Sequence, residues 1–530
     1  MDRRAFVQSA VLAGAVRAFP GAAEPAPAPQ APAFELDEAT IASLSEGMQS
    51  GKWTARGITE QYLSRIAAMD RAGPALGSIL EINPDAMAIA SQLDAERRAS
   101  GPRGALHGIP VLVKDNLDTG DRMSTTAGSL ALAGTRAARD STVVANLRRA
   151  GAVLLGKTNL SEWANYRSTS STSGWSGAGG LTRNPYVLDR SACGSSSGSG
   201  AAAAANLAAV TIGTETDGSI TCPASICALV GIKPTVGLVS RAGIVPISAT
   251  QDTAGPMCRT VTDAALVLEA IQGGDPRDAA TSRAAGRMAG SYREALRRGG
   301  LKGVRLGVAR RGFGLPSSVE PVLTEAIAAL KALGAVIVDP AEVPNAEKLG
   351  DPEIVVLDFE IKAGLADYLA TRDQATAVRT LADVIAFNSA NREREMPWFG
   401  QEIFERAQKR GPLTDPVYRN ALATCRRLSR GLGIDALMAR RRLDAIVAIT
   451  AGPSWPIDLV NGDRYTGGAT SPAAVAGYPH VTVPAGWVHG LPIGLSFFGR
   501  AWSEAQLLGL AFDFEQGTGV RRAPQFLPTV

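Results

Sequence analysis

The stretch Cys193-Gly-Ser-Ser-Ser-Gly-Ser-Gly200 is followed by an alanine run and a short apolar strand. It leads into Gly213-Thr-Glu-Thr-Asp-Gly-Ser219-Ile220 and closes with Gly231-Ile-Lys-Pro-Thr235. Two glycine- and serine-rich turns thus flank one compact unit. Glycine lets backbone N–H groups come close to a ligand and point inward together. Serines carried on such turns are candidate nucleophiles or proton relays. The stretch reads as the centre of a hydrolytic site.

Outward from it, strands and helices alternate. Ile109 to Lys114 is a continuous apolar run ending in a charge, the pattern of a buried strand. Asp140 is expected to cap a helix to Ala150, and Ala152 to Leu155 gives the next strand. Upstream, Thr54 can cap a helix carrying Ile58, Tyr62, Ile66 and Met69 on one stripe. Asn83-Pro84 opens a second helix through about Arg98. From Gly213 to Pro256 the chain is rich in Gly, Pro, Ser and Thr without helical period, which predicts active-site loops between apolar strands. Downstream, Asp263 to Ile271 returns to helix, and Gly273 to Gly300 is polar and surface-like. Val304 to Val308, a helix around Val322 to Leu333 and Val336 to Val338 form a β-α-β unit. Glu353 to Arg442 reads as charged amphipathic helix. Ala445 to Ile449, Val481 to Ala485 and Ile493 to Phe498 read as strands, and Ser503 with Gln506 suggests a capping box for a last helix. One large α/β domain over 34–530, a mixed central sheet covered by helices, is the expected fold.

Composition bounds the function classes. With 530 residues, 45% of them hydrophobic and 20% charged, the chain can bury a large core. A formal charge of +4 gives no reason to expect nucleic acid or a membrane surface as partner. The five cysteines, Cys193, Cys222, Cys227, Cys258 and Cys425, have no C-x-x-C spacing and are read as buried free thiols, with Cys222–Cys227 the pairing alternative. Three histidines, His107, His480 and His489, are poor material for a metal centre, so neither metal nor cofactor is expected.

The N-terminus carries Asp2-Arg3-Arg4-Ala5-Phe6-Val7 and then an alanine-rich apolar run to Val16, too short to span a bilayer. This resembles a twin-arginine export signal over 1–23, followed by a stiff Pro/Ala tether over 24–33. A periplasmic or secreted location is the corresponding expectation.

Two pattern matches fail on context. Gly151-Ala-Val-Leu-Leu-Gly156-Lys157-Thr158 fits the P-loop expression, but its intervening residues are themselves an apolar strand rather than a phosphate-cradling loop. Gly194-Ser195-Ser196-Ser197-Gly198 fits a nucleophile elbow, which would need an acid and then His480 or His489 as base. With histidine scarce, lysine can activate a serine if burial makes its neutral form accessible. Lys114, ending the strand Ile109-Pro-Val-Leu-Val-Lys114, is the candidate.

Lys114 on its Gly-Ile-Pro-Val strand, the Gly-Ser-Ser-Ser-Gly turn and the Thr-Asp-Gly-Ser-Ile turn together resemble the amidase signature family. Cys222-Pro-Ala224, Gly231-Ile-Lys-Pro-Thr235 and Gln251-Asp-Thr-Ala-Gly-Pro256 continue the likeness, which is dense from His107 to Ile271. The resemblance implies a Ser–Ser–Lys triad. Ser219 would be the nucleophile, Ser195 the bridge after a cis Gly194–Ser195 bond, and Lys114 the base. It also implies an oxyanion site on the backbone of Thr216, Asp217, Gly218 and Ser219, with Ala164 meeting ligand through its backbone. Asp217 and Glu215 depart from the commoner family pattern, and the Glu-Thr-Asp-Gly-Ser-Ile version is similar to the bacterial peptide amidase branch. The implied substrate is a small-molecule or peptide amide, with C-terminal peptide amides leading and aryl, aliphatic or cyclic amides as alternatives. An amidotransferase subunit fits an exported chain poorly. A non-catalytic binding protein on the same scaffold is the reading from another class.

Overall fold

Apolar runs with no room for solvent on either side become the middle of a sheet. Pro110–Lys114 (β2), Val153–Thr158 (β3), Val210–Glu215 (β6), Val230–Lys233 (β7) and Thr253–Cys258 (β8) are buried at every position, as is Ala445–Ile449 (β11). The other strands are Ile79–Ile82 (β1), Trp175–Ser176 (β4), Gly180–Leu181 (β5), Arg305–Val308 (β9), Val336–Val338 (β10), His480–Val488 (β12) and Leu491–Phe498 (β13). This computed structural model describes residues 33–311, 313–372 and 378–530. The expected export segment, and all but the last residue of the 24–33 tether, lie outside the described residues.

Eleven strands form one mixed sheet in the order β1-β3-β2-β6-β8-β7-β12-β13-β11-β9-β10. Parallel pairing joins β3, β2 and β6 on one side and β11, β9 and β10 on the other. Antiparallel ladders fill the middle. Helices cover it, as the alternation of elements predicts. Thr54 caps the helix Ala55–Met69 by accepting from the Gly57 N–H at 3.0 Å, and Ile58, Tyr62, Ile66 and Met69 are all buried. The expected β-α-β unit forms from β9, the helix Glu320–Ala332 and β10. No helix among the described residues is long and apolar enough to cross a membrane.

The P-loop pattern is indeed sheet: Gly156, Lys157 and Thr158 lie within β3. Four local expectations are corrected. Cys193 and Cys222 form a disulfide, while Cys227, Cys258 and Cys425 are buried thiols; the two turns converge, bringing their Cα atoms to 6.2 Å. The region 213–256 is more regular than its composition suggests, holding three strands and the short helix Thr221–Ile226. Ser141, not Asp140, caps the helix Thr142–Arg149, because Asp140 spends its carboxylate on the Gly120 N–H and Arg148. Ser503 precedes Glu504–Thr518 without a side-chain cap; its backbone is not extended and its hydroxyl donates to the Arg500 carbonyl at 2.7 Å.

Candidate active site

Parallel pairing of β2 with β6 sets Val113 against Ile212, so Lys114, the last residue of β2, and Thr214, one before the last of β6, lie at the same end of neighbouring strands. The turn carrying Ser195 leads into the helix Ser197–Ala204, and the turn carrying Ser219 leads into Thr221–Ile226. The Ser196 N–H donates to the Ser219 carbonyl at 3.1 Å, which ties one turn to the other. The disulfide between Cys193 and Cys222 joins them again.

Lys114 is completely buried. Its Nζ donates to Ser195 Oγ at 2.7 Å, Thr214 Oγ1 at 2.9 Å and Ser196 Oγ at 3.0 Å, with the Thr214 carbonyl at 3.3 Å. Desolvation pulls its pKa down to about 7, against the opposing fields of Asp252 and Glu215. A lysine so placed can be neutral near neutral pH and accept a proton.

Ser195 is fully buried and follows a cis peptide bond from Gly194. A Cβ at Gly194 would lie 2.2 Å from Ser161 Oγ, so only glycine fits there. The Ser161 N–H donates to the Ser195 carbonyl at 3.1 Å. Ser196 spends its hydroxyl on the Thr214 carbonyl and receives the Thr214 N–H and Lys114. Ser219 differs from both: it lines a cavity of about 670 Å³, which Ser195 and Ser196 do not. No hydrogen bond engages its hydroxyl among the described residues, so the Ser195 and Ser219 hydroxyls are not directly bonded. Contacts of this kind often tighten only when substrate is bound.

The backbone around Ser219 is held from behind. Glu215 Oε2 accepts the N–H groups of Ile220 and Thr221, each at 2.8 Å. Gly218 has φ +76°, a left-handed conformation that other residues rarely adopt. Among the described residues, the N–H groups of Asp217, Gly218 and Ser219 have no intramolecular acceptor, and all three residues line the cavity. That leaves donors free for an anionic oxygen. Thr216 is anchored through its hydroxyl to Asp252 Oδ1 at 2.6 Å.

Asp217 is half-buried beside the hydroxyls of Ser471 and Thr470, and burial raises its pKa. Glu353 faces it across the cavity wall; burial first, then the Asp217 charge, lift its pKa well above the usual range. The Gln251 amide donates to Glu353 Oε1 at 2.7 Å. Ala164 lines the cavity within Trp163-Ala164-Asn165, whose φ values are 50°, 53° and 71°. Three left-handed non-glycine residues in a row cost roughly 1–3 kcal/mol each, so the surroundings must hold this backbone in place.

The sites expected from sequence therefore meet at one place. His480 does not join them: it is buried against Ser496 Oγ at 2.5 Å, with its pKa depressed to about 3 by burial and Lys233. His489 sits exposed on the turn between β12 and β13. Among the described residues, no three His, Cys, Asp or Glu side chains converge as a metal site. Sequence reasoning missed Thr214, Asn116, which donates to Thr214 Oγ1 at 2.9 Å, and the walls Phe313, Glu353, Trp455 and Tyr465. Thr214 lies inside a quoted motif and Asn116 two residues past another, so both were open to view; the walls carry no local signal.

Comparison with known proteins bears on the family and the fold. The family model described as Amidase matches residues 57–508. A peptide amidase solved in complex with the competitive inhibitor chymostatin superposes with a TM-score of 0.89 at 50% identity, covering 93% of this chain and all of that one. The native peptide amidase of Stenotrophomonas maltophilia gives 0.89 at 49%, with the same coverage. A probable amidase of Arabidopsis thaliana is 42% identical over 504 residues, 93% of each chain.

Proposed function

The chain belongs to the amidase family, a hydrolase acting on C–N bonds, and from that premise we propose that it releases ammonia from C-terminal peptide amides through an acyl-enzyme on Ser219. One observation carries the mechanism: a buried lysine with a pKa near 7 lies 2.7 Å from the Ser195 hydroxyl, beside the turn of a cavity-lining serine.

In this reading neutral Lys114 accepts the Ser195 proton while Ser195 accepts that of Ser219. The Ser219 oxygen bonds to the carboxamide carbon, and the carbonyl π electrons move onto its oxygen. The free N–H groups of Asp217, Gly218 and Ser219 receive that charge; removing one such donor typically costs about 10²–10³ in rate. Collapse of the adduct breaks the C–N bond as the relayed proton passes to nitrogen, and ammonia leaves. Water then adds to the ester, Lys114 again taking its proton through Ser195; the bond from the acyl carbon to the Ser219 oxygen breaks, that oxygen regains the relayed proton, and the carboxylic acid departs.

The peptide-amide assignment is supported by the likeness to peptide amidases and by the cavity. A volume of about 670 Å³ with Phe313, Trp455, Tyr465 and Leu357 on its walls gives room and apolar surface for an acyl residue. The test is ammonia release across a panel of C-terminal peptide amides, free aliphatic amides and aryl anilides. Turnover confined to aliphatic or aryl amides would replace the substrate assignment. Silence across the panel would favour a binding protein.

A further inference from the structure

A second cavity, of about 350 Å³, shares no lining residue with the first. Arg283, Arg287, Arg426 and Arg430 all line it, together with Tyr478 and Trp502. Among the described residues none of the four guanidiniums has a carboxylate within ion-pair reach. The acids nearby are committed elsewhere: Asp278 is clamped by Arg241, Asp435 accepts from the Tyr478 hydroxyl, and Glu360 accepts from Tyr418 and Thr250.

Arg287 lies over the Trp502 ring at 5.3 Å and Arg430 over Tyr478 at 5.5 Å, so two of the cations are held at the wall by stacking. Arg430 also donates to the Ala476 carbonyl at 2.8 Å. The side chains of Arg287 and Arg426 make no intramolecular hydrogen bond among the described residues. Burial, and then the neighbouring guanidiniums, lower the pKa of Arg283, and the same causes act on Arg430. Four like charges around one hollow repel one another, and an anion between them would reverse the sign of that interaction. Guanidinium forks match phosphate and carboxylate oxygens in pairs. The volume is at the small end of small-molecule sites, about 300–1,000 Å³, which fits a compact ligand rather than a polymer.

We infer that this cavity binds a small oxyanion with two or more negative charges, a phosphate ester or a polycarboxylate, gripped by Arg283, Arg287, Arg426 and Arg430.

The experiment is isothermal titration of the full chain with inorganic pyrophosphate and, separately, citrate, at ionic strength held constant with sodium chloride. The expected result is saturable binding of at least one probe, weakened about tenfold or more in Arg287→Gln/Arg426→Gln with amide turnover unchanged. Pyrophosphate alone would assign phosphate chemistry, citrate alone carboxylate chemistry, and both the shared one. No saturable heat from either probe, or equal affinity in the variant, overturns the inference. Should the double variant not fold, Arg426→Gln, an exposed single change, gives the same comparison.

Discussion

Lys114 and Lys157 lie one register step apart on adjacent parallel strands, yet only Lys157 reaches a carboxylate, Asp115 at 3.7 Å. The register pairs Lys114 with Thr158 and Lys157 with Val113, and alternation along a strand sends the two side chains to opposite faces. Both are fully buried. One face supplies a counter-ion and the other supplies hydroxyls, so neighbouring lysines acquire different chemistry. Lys157 is paired with a carboxylate, whereas Lys114 is the base in the proposed mechanism.

The pH dependence follows from that difference. Below about pH 7 Lys114 is charged and cannot take a proton; above it the neutral form dominates. The value of kcat/KM for an uncharged amide is expected to rise about tenfold per pH unit up to that point and then level. Lys114→Arg, which holds its charge, is expected to lose about 10²–10⁴ in kcat. A flat profile between pH 5 and 8 would remove lysine from the relay.

The serines should separate cleanly. Ser219→Ala is expected to abolish both turnover and acyl-enzyme formation, measured by mass spectrometry with a slow ester substrate. Ser195→Ala should lower kcat by about 10²–10⁴ through loss of the relay. Ser196→Ala keeps the nucleophile and should still show the acyl adduct. Its absence there, with the adduct present in Ser219→Ala, would move the nucleophile to Ser196.

Glu353 offers a test of protonation inside the cavity wall. Its pKa is raised in the folded chain, whereas an unfolded glutamate titrates at about 4.3. The folded state therefore holds a proton that the unfolded state has lost, and stability falls as pH rises above that value. Glu353→Gln mimics the protonated form. It should be more stable than the parent at pH 7, with the difference shrinking toward pH 4, measured by denaturant midpoints. A variant less stable at pH 7 than at pH 4, relative to the parent, contradicts this.

The disulfide closes a loop with a sequence separation of 29. Loop entropy alone then amounts to about 3–4 kcal/mol. Reduction, or Cys193→Ala with Cys222→Ala, is expected to lower the unfolding midpoint. It should also reduce kcat, because Cys193 and Cys222 stand one residue before Gly194 and three after Ser219. An unchanged midpoint and rate would make the bond incidental.

Much of this was legible because it is local. Buried strands announce themselves as unbroken apolar runs, as at Ile109 to Lys114, and the helix behind Thr54 by its stripe and cap. The glycines at 194 and 218 mark turns with close backbone approach, which is why the serine motifs pointed to two turns that meet beside one cavity. The cysteine pairing was illegible because Cys193 and Cys222 meet only after two turns converge. Asp140 and Ser141 are adjacent polar residues of equal capping ability, and the choice fell to Arg148, a partner eight residues away. Glu353 and Trp455 sit far along the chain in stretches that read as ordinary helix and loop.

The cavity is drawn from two separate regions of the chain. Ala164, Asp217, Gly218 and Ser219 come from its first half, with Lys114 and Ser195 behind them, whereas Phe313, Glu353, Trp455 and Tyr465 come from well beyond. In the proposed reading, reactivity resides in the first of these regions, and much of the taste for a given acyl group in the second. Grafting the later segment from a relative should redirect which molecules are cut while leaving untouched the machinery that cuts them.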